Sequence, residues 1–266
     1  ALPQLTLRPN AYFVFGGDTF DRGDGDLRVA HQLLDLKKRH PDRVFLIIGS
    51  PLCKSVATGN RDLNKMRLTA ECDPVEVLHP ARPLQNAPGP YWWGKSGRRL
   101  TPQSYLWALA SKKIGGGDKA FINTEVHRLN TPVNRLRYVL EKTMGCPSTF
   151  EYRRRELSLL SGQVCEHNPL SAVSDESVYS SFMESVRNPT GLVRQYLLHG
   201  QLCTVLFDTL FVHGGITTKV SDVAETHVDG VEMKETHTVQ QWVYALNHWS
   251  RRAVQDWISR PIWDDN

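Results

Sequence analysis

Three short segments of the chain hold residue types that could do chemistry: Gly17-Asp18-Thr19-Phe20-Asp21-Arg22-Gly23, Gly59-Asn60-Arg61-Asp62 and Val212-His213-Gly214-Gly215-Ile216. A carboxylate, an amide oxygen and an imidazole together suit a hard-to-borderline divalent cation such as Mn²⁺, Fe²⁺ or Zn²⁺. Arginines beside them suit a phosphate, because the planar guanidinium can clamp two oxygens at once. Singly, each segment also reads as ordinary structure. Asp-x-x-Asp-Arg-Gly can be a turn with a salt bridge, Gly-Asn a turn dipeptide, and His-Gly-Gly a core histidine at a bend. Their specificity comes from order and place, since each follows an expected strand. Ligands of an open α/β sheet gather at the carboxyl ends of its strands.

The elements that would position these segments follow from periodicity. Tyr12–Phe15 is a short aromatic and β-branched run ending in Gly16-Gly17, which predicts a strand stopping at a tight turn. From Asp26 to Arg39, Leu27, Ala30, Leu33, Leu34 and Lys37 fall at helical spacing, with acid at the start and base at the end. His40-Pro41-Asp42 breaks that helix, and Val44–Ile48 is a continuous apolar strand of the kind buried on both faces. Strand, helix, strand at this spacing predicts a parallel pair. Helical segments are expected near Gln103–Lys113, Val133–Met144, Phe150–Ser161, Glu176–Val186 and Val193–Leu198. Two strands follow at Thr204–Leu206 and Leu210–Val212, around Phe207-Asp208. Trp242, Leu246, Trp249, Ala253 and Trp257 mark one face of a last helix, read as core packing. Gly115-Gly116-Gly117 reads as a hinge or linker and not as a phosphate loop, because no Lys-Ser/Thr follows at the required spacing.

Composition bounds the class. The chain has 266 residues, 40% hydrophobic and 23% charged, with mean hydropathy −0.38, which excludes disordered, collagen-like and coiled-coil classes. No apolar run approaches the roughly 20 residues of a membrane helix, so no membrane partner is expected. The five scattered cysteines contain no CxxC pair, which points to free thiols in a reducing compartment, the cytoplasm. Net charge is +4, yet Tyr91–Leu160 alone carries 13 Lys/Arg against 5 Asp/Glu. This basic middle would attract phosphate-rich partners.

The motifs GDTFDRG, GNRD and LFVHGGI resemble those of the calcineurin-like metallophosphoesterase superfamily. The likeness is to its branch of serine/threonine phosphoprotein phosphatases and bis(5′-nucleosyl)-tetraphosphatases, and it covers Tyr12–Asp62 and roughly Gln201–Ile216. It implies an α/β (α+β) fold, a β-sandwich flanked by helices, holding two divalent metals (Mn²⁺, Fe²⁺ or Zn²⁺) and hydrolysing a phosphoprotein or nucleotide phosphate by a metal-activated hydroxide. Carried over residue by residue, Asp18 would bridge both metals, and Asn60 and His213 would bind the second. Arg22 would clamp phosphate oxygens, and Asp21 and Asp62 would orient their neighbours; for the last two, a salt bridge with Arg22 or a turn cap is an equal alternative.

The sequence departs from the family pattern in four ways. The 17 residues before Asp18 contain neither the Asp nor the His of the family's opening motif, so the first metal site is expected to be incomplete. No metal-binding His follows His213 in the right context, since His227 and His237 come too soon and His248 sits on the Trp helix. The chain therefore reads as one domain over 1–266, incomplete at both ends. Arg61 stands where most members have a histidine; it cannot be a general acid near neutral pH but can stabilise negative charge. The same GNRD occurs in the superfamily's UDP-diacylglucosamine pyrophosphatase branch. Lastly, Ser50–Gly59 separates Gly49 from Asn60 and reads as an inserted loop or a gene-model error, because its removal would restore a seamless motif.

About 150 residues separate GNRD from HGG. The excess, about 74–189, is expected to form a helical cap. Its Tyr91-Trp92-Trp93-Gly94-Lys95-Ser96-Gly97-Arg98-Arg99 could stack on a nucleobase and hold phosphates, or pack on the main domain. Arg153-Arg154-Arg155 reads as a helix surface. The enzyme reading stands against a catalytically silent relative that binds a phosphate ligand or a partner. A nucleic-acid module, resting on the basic stretch alone, is the weakest reading.

Overall fold

The computed structural model describes residues 4–20, 23–48, 74–78, 101–162, 173–213 and 238–259. By contacts the chain divides into two compact units. One comprises Ala1–Asp21, Gly25–Asn60 and Arg187–Arg260, the other chiefly Arg61–Val186.

The first unit mixes helix and strand. β1 (Phe13–Phe15) and β2 (Val44–Leu46) pair in parallel, Phe13 opposite Val44 and Phe15 opposite Leu46. The link between them is α1 (Asp26–Arg39), with Asp26 in its first turn and Lys37, Lys38 and Arg39 in its last, charges that complement the helix dipole. Its Ala30, Leu33, Leu34 and Leu36 are buried. Lys37 ties the helix to the strand by donating from Nζ to the carbonyls of Pro41 (2.7 Å) and Val44 (2.8 Å). Beyond β2, Ile47 bridges in parallel to Gln201, so the sheet edge is continued by the segment that leads into the next strand.

That strand, β3 (Cys203–Leu206), forms an antiparallel hairpin with β4 (Thr209–Val212), Cys203 opposite Val212 and Leu206 opposite Thr209. A 21-residue helix, Val239–Ser259, buries Trp242, Ala245, Leu246, Val254 and Trp257. It also supplies a hydrogen-bonding partner to β3. Asn247 Oδ1 accepts from the amides of Leu202 (2.9 Å) and Cys203 (3.3 Å), while Nδ2 donates to the Cys203 carbonyl (2.8 Å). One side chain thus answers two amides and a carbonyl at the start of the strand, the carbonyl also accepting from Gln201 Nε2 at 2.8 Å. Residues from α1, β2, β3 and this helix share one hydrophobic core with Leu192 and Tyr196.

Every described element within the second unit is helical: Pro74–Leu78, Pro102–Ile114, Lys119–Leu129, Pro132–Tyr138 with a π turn at Val139–Thr143, Thr149–Leu160 and Asp175–Arg187 up to Val186. Thr101 and Thr131 cap their helices, each followed by proline in the first turn, the combination that sets helix starts. Gly115-Gly116-Gly117 connects two helices: Gly115, at φ 75°, ends the first, and Asp118 caps the second, Lys119–Leu129, which is not among the expected helices. One expectation is corrected here. Arg153 and Arg154 are 2% and 7% exposed, not on a helix surface. Arg153 stacks on Phe182 at 4.2 Å and donates to Ser181 Oγ at 3.1 Å. Arg154 bonds Glu151 and Asp175, both also held by Arg137, which itself lies 3.7 Å over the Phe150 ring. Guanidinium planes can enter a core when aromatic faces and carboxylates meet them.

Candidate metal site at the end of β1

The turn after β1 leaves ordinary backbone space. Gly17 has φ 105° and Asp18 φ 56°. The second value lies in the left-handed region, which Asp enters more readily than most residues because its short carboxylate can bond locally. The carboxylate is thereby presented at the strand end, half-exposed, and it meets His213, the first residue after β4. His213 Nε2 lies 3.4 Å from Asp18 Oδ1, and His213 Nδ1 lies 2.5 Å from the Gly16 carbonyl oxygen.

The hairpin reaches this position by flanking β1 at both ends. At its tip Phe207 packs edge-to-face on Tyr12, just before β1, with ring centroids 5.5 Å apart. At its far end the imidazole meets Gly16, just after β1.

The Gly16 contact fixes the imidazole's chemistry. A carbonyl oxygen only accepts, so Nδ1 must carry the proton. In the neutral ring Nε2 then holds a lone pair, and that lone pair faces a carboxylate oxygen. Two acceptors so placed repel unless a proton or a cation lies between them. A histidine whose Nδ1–H is tied to a backbone carbonyl, with Nε2 turned to a carboxylate, is the usual preparation of a metal ligand. The spacing agrees, since two ligands at about 2.1 Å from one cation stand roughly 3.0–3.5 Å apart. The donor pair therefore fits a divalent cation.

Of the residues singled out in the sequence, Asp18 and His213 come together. Asp21, Arg22, Asn60, Arg61 and Asp62 lie outside the described residues, as do Ser50–Gly59 and the Tyr91–Arg99 stretch. Ile47, among the described residues, lies beside the end of β1, its amide donating to the Phe15 carbonyl at 2.9 Å. Among the described residues no third His, Cys, Asp or Glu joins the pair. His248 stacks on the Tyr244 ring, and the hollow it lines with Arg251, Arg252, Gln255 and Asp256 includes neither Asp18 nor His213.

Sequence reasoning missed Thr19 and Tyr196. Thr19 is 8% exposed, and Tyr196, on the helix Leu192–His199, is 3% exposed. The Tyr196 ring meets Phe20 edge-to-face at 5.2 Å, and burial pushes its phenol up to about 12, the Thr19 hydroxyl opposing the rise. A signal existed: Tyr196 stands four residues after Leu192 and three after Val193, on the helix's buried face.

Comparison with known proteins finds no matching family model, no curated relative and no similar solved structure.

Proposed function

We propose that the chain is a metal-dependent phosphoester hydrolase on a calcineurin-like β-sandwich flanked by helices, acting on a phosphoprotein or nucleotide phosphate. The observation that carries the reading is the approach of His213 Nε2 to Asp18 Oδ1 at 3.4 Å, made by residues from opposite ends of the chain. Asp18 and His213 would hold a divalent cation (Mn²⁺, Fe²⁺ or Zn²⁺), with Asn60 as the expected third ligand. When bound, divalent ions of this kind activate water and offset charge on a phosphoryl group.

The residues' own tasks follow from their chemistry. The Gly16 carbonyl orients the imidazole, Asp18 supplies negative charge at the strand end, and Arg22 would clamp phosphate oxygens. Arg61 would stabilise negative charge without donating a proton, which favours a substrate whose leaving group needs none. Among the described residues no helix is long and apolar enough to cross a membrane. The buried free thiols Cys146 and Cys203 agree with a reducing, cytoplasmic setting.

Hydrolysis of p-nitrophenyl phosphate with and without Mn²⁺ tests the proposal. The expected result is metal-stimulated turnover that Asp18→Asn abolishes. Phosphate binding without turnover would favour the catalytically silent relative.

A further inference from the structure

Asp18 occupies a backbone conformation that needs support from its surroundings, and Asp18 itself is half-exposed. The two residues that follow it supply anchorage, and both meet the same side chain. Phe20 sets its edge against the Tyr196 ring at 5.2 Å. Thr19, nine-tenths buried, carries a hydroxyl close enough to influence the Tyr196 phenol. Neither Thr19 Oγ1 nor Tyr196 OH makes a well-formed hydrogen bond among the described residues. Two enclosed hydroxyls, neighbours but not joined, are an uncommon arrangement in a packed interior. The helix that carries Tyr196 ends in close packing, where a Cβ on Gly200 would stand only 3.1 Å from both the Tyr196 carbonyl oxygen and Ile48 Cγ1.

We infer that Tyr196 is a positioning residue for Asp18: its ring braces Phe20 and its hydroxyl is set to bond Thr19 Oγ1, so that the turn offers its carboxylate to a cation shared with His213. This rests on the phosphoesterase reading. Thr19 and Tyr196 touch neither cation nor substrate. They act through the backbone of residues 17–20. A group that only fills space would need the ring and not its oxygen, which separates the two roles.

The test is Mn²⁺ binding to the whole chain, read from the free-ion electron paramagnetic resonance signal, with melting curves recorded alongside. Tyr196→Leu should weaken binding roughly tenfold, the scale on which outer partners of metal ligands act. Tyr196→Phe and Thr19→Val, which remove one hydroxyl each and keep the shape, should weaken it several-fold at temperatures where both remain folded. Thr19→Ser, which keeps the hydroxyl, should bind like the unaltered chain. Unchanged affinity in both Tyr196→Phe and Thr19→Val, with the unaltered chain binding Mn²⁺, would overturn the positioning role alone. Absence of binding by the unaltered chain would overturn the metal reading, and this inference with it.

Discussion

At Asp18 backbone and side chain make separate demands, and the substitution chosen to probe it must respect both. Its φ of 56° is tolerated by Asn about as well as by Asp, so Asp18→Asn removes charge while leaving the turn intact. Asp18→Ala would add a backbone penalty of about 1 kcal/mol and blur the result. Asp18→Asn should keep the melting temperature near that of the unaltered chain while losing divalent-metal stabilisation, which thermal denaturation with and without Mn²⁺ would show. Phe207 presents the opposite case. It is 83% exposed with φ 58°, a conformation costing a bulky residue about 1–2 kcal/mol. Its edge-to-face pairing with Tyr12 returns at best about 0.5–1.5 kcal/mol. Phe207→Asn should therefore raise stability by about 0.5 kcal/mol in urea unfolding, and a loss above about 1 kcal/mol would show that the aromatic contact outweighs the strain.

The elements hold the site through a few polar attachments that hydrophobic burial alone would not provide. Asn247 is the clearest, satisfying two amides and one carbonyl at the start of β3. Asn247→Leu keeps the branched outline but removes the acceptor of the Leu202 and Cys203 amides, while the Cys203 carbonyl keeps its bond from Gln201 Nε2 (2.8 Å), so it should destabilise the first unit by about 1–3 kcal/mol. Urea unfolding followed by the fluorescence of the Trp-bearing helix would measure this. A cost near zero would mean water replaces the side chain. The same scale explains what could be read in advance. The 26–39 helix declared itself by its apolar period and buried face, and the parallel strands and the hairpin by short apolar and β-branched runs bounded by turn residues. The helix at Lys119–Leu129 did not, because its first turn carries an exposed Phe121 and it buries Glu125. Its cap, Asp118, stood behind three glycines that suggested a linker. Arg153 and Arg154 misled for a related reason: three adjacent arginines look solvated until the aromatic faces and carboxylates that receive them, from other helices, are known. In the site, Asp18 and His213 were legible through strand-end placement. Thr19 and Tyr196 were not, because hydroxyls in a core carry no spacing signature.

Across the whole molecule, the second unit's charged cluster is one place where acid should act. The Arg154 hydrogen bond holds the Glu151 carboxyl below its ordinary value of 4.5. For Asp175 burial works the other way, but Arg154 and Arg137 prevail and bring it below 3.8. Unfolded, both groups take up protons at higher pH than when folded, so their contribution is complete above those ordinary values. It is lost as pH falls through the depressed folded values. Stability should thus decline as pH drops below about 4.5, and the double substitution Glu151→Gln with Asp175→Asn should flatten that decline. Circular dichroism melts across this range would check it; an unaltered slope in the double variant would place the acid sensitivity elsewhere.

The central claim, that Asp18 and His213 share one cation, has a direct spectroscopic test. Electron spin echo envelope modulation of Mn²⁺ bound to the chain reads the nitrogen nuclei attached to the ion. An imidazole nitrogen signal is expected in the unaltered protein and should disappear in His213→Ala, with bound Mn²⁺ itself lost or much reduced in Asp18→Asn. A nitrogen signal that survives His213→Ala, or binding indifferent to Asp18→Asn, would contradict it.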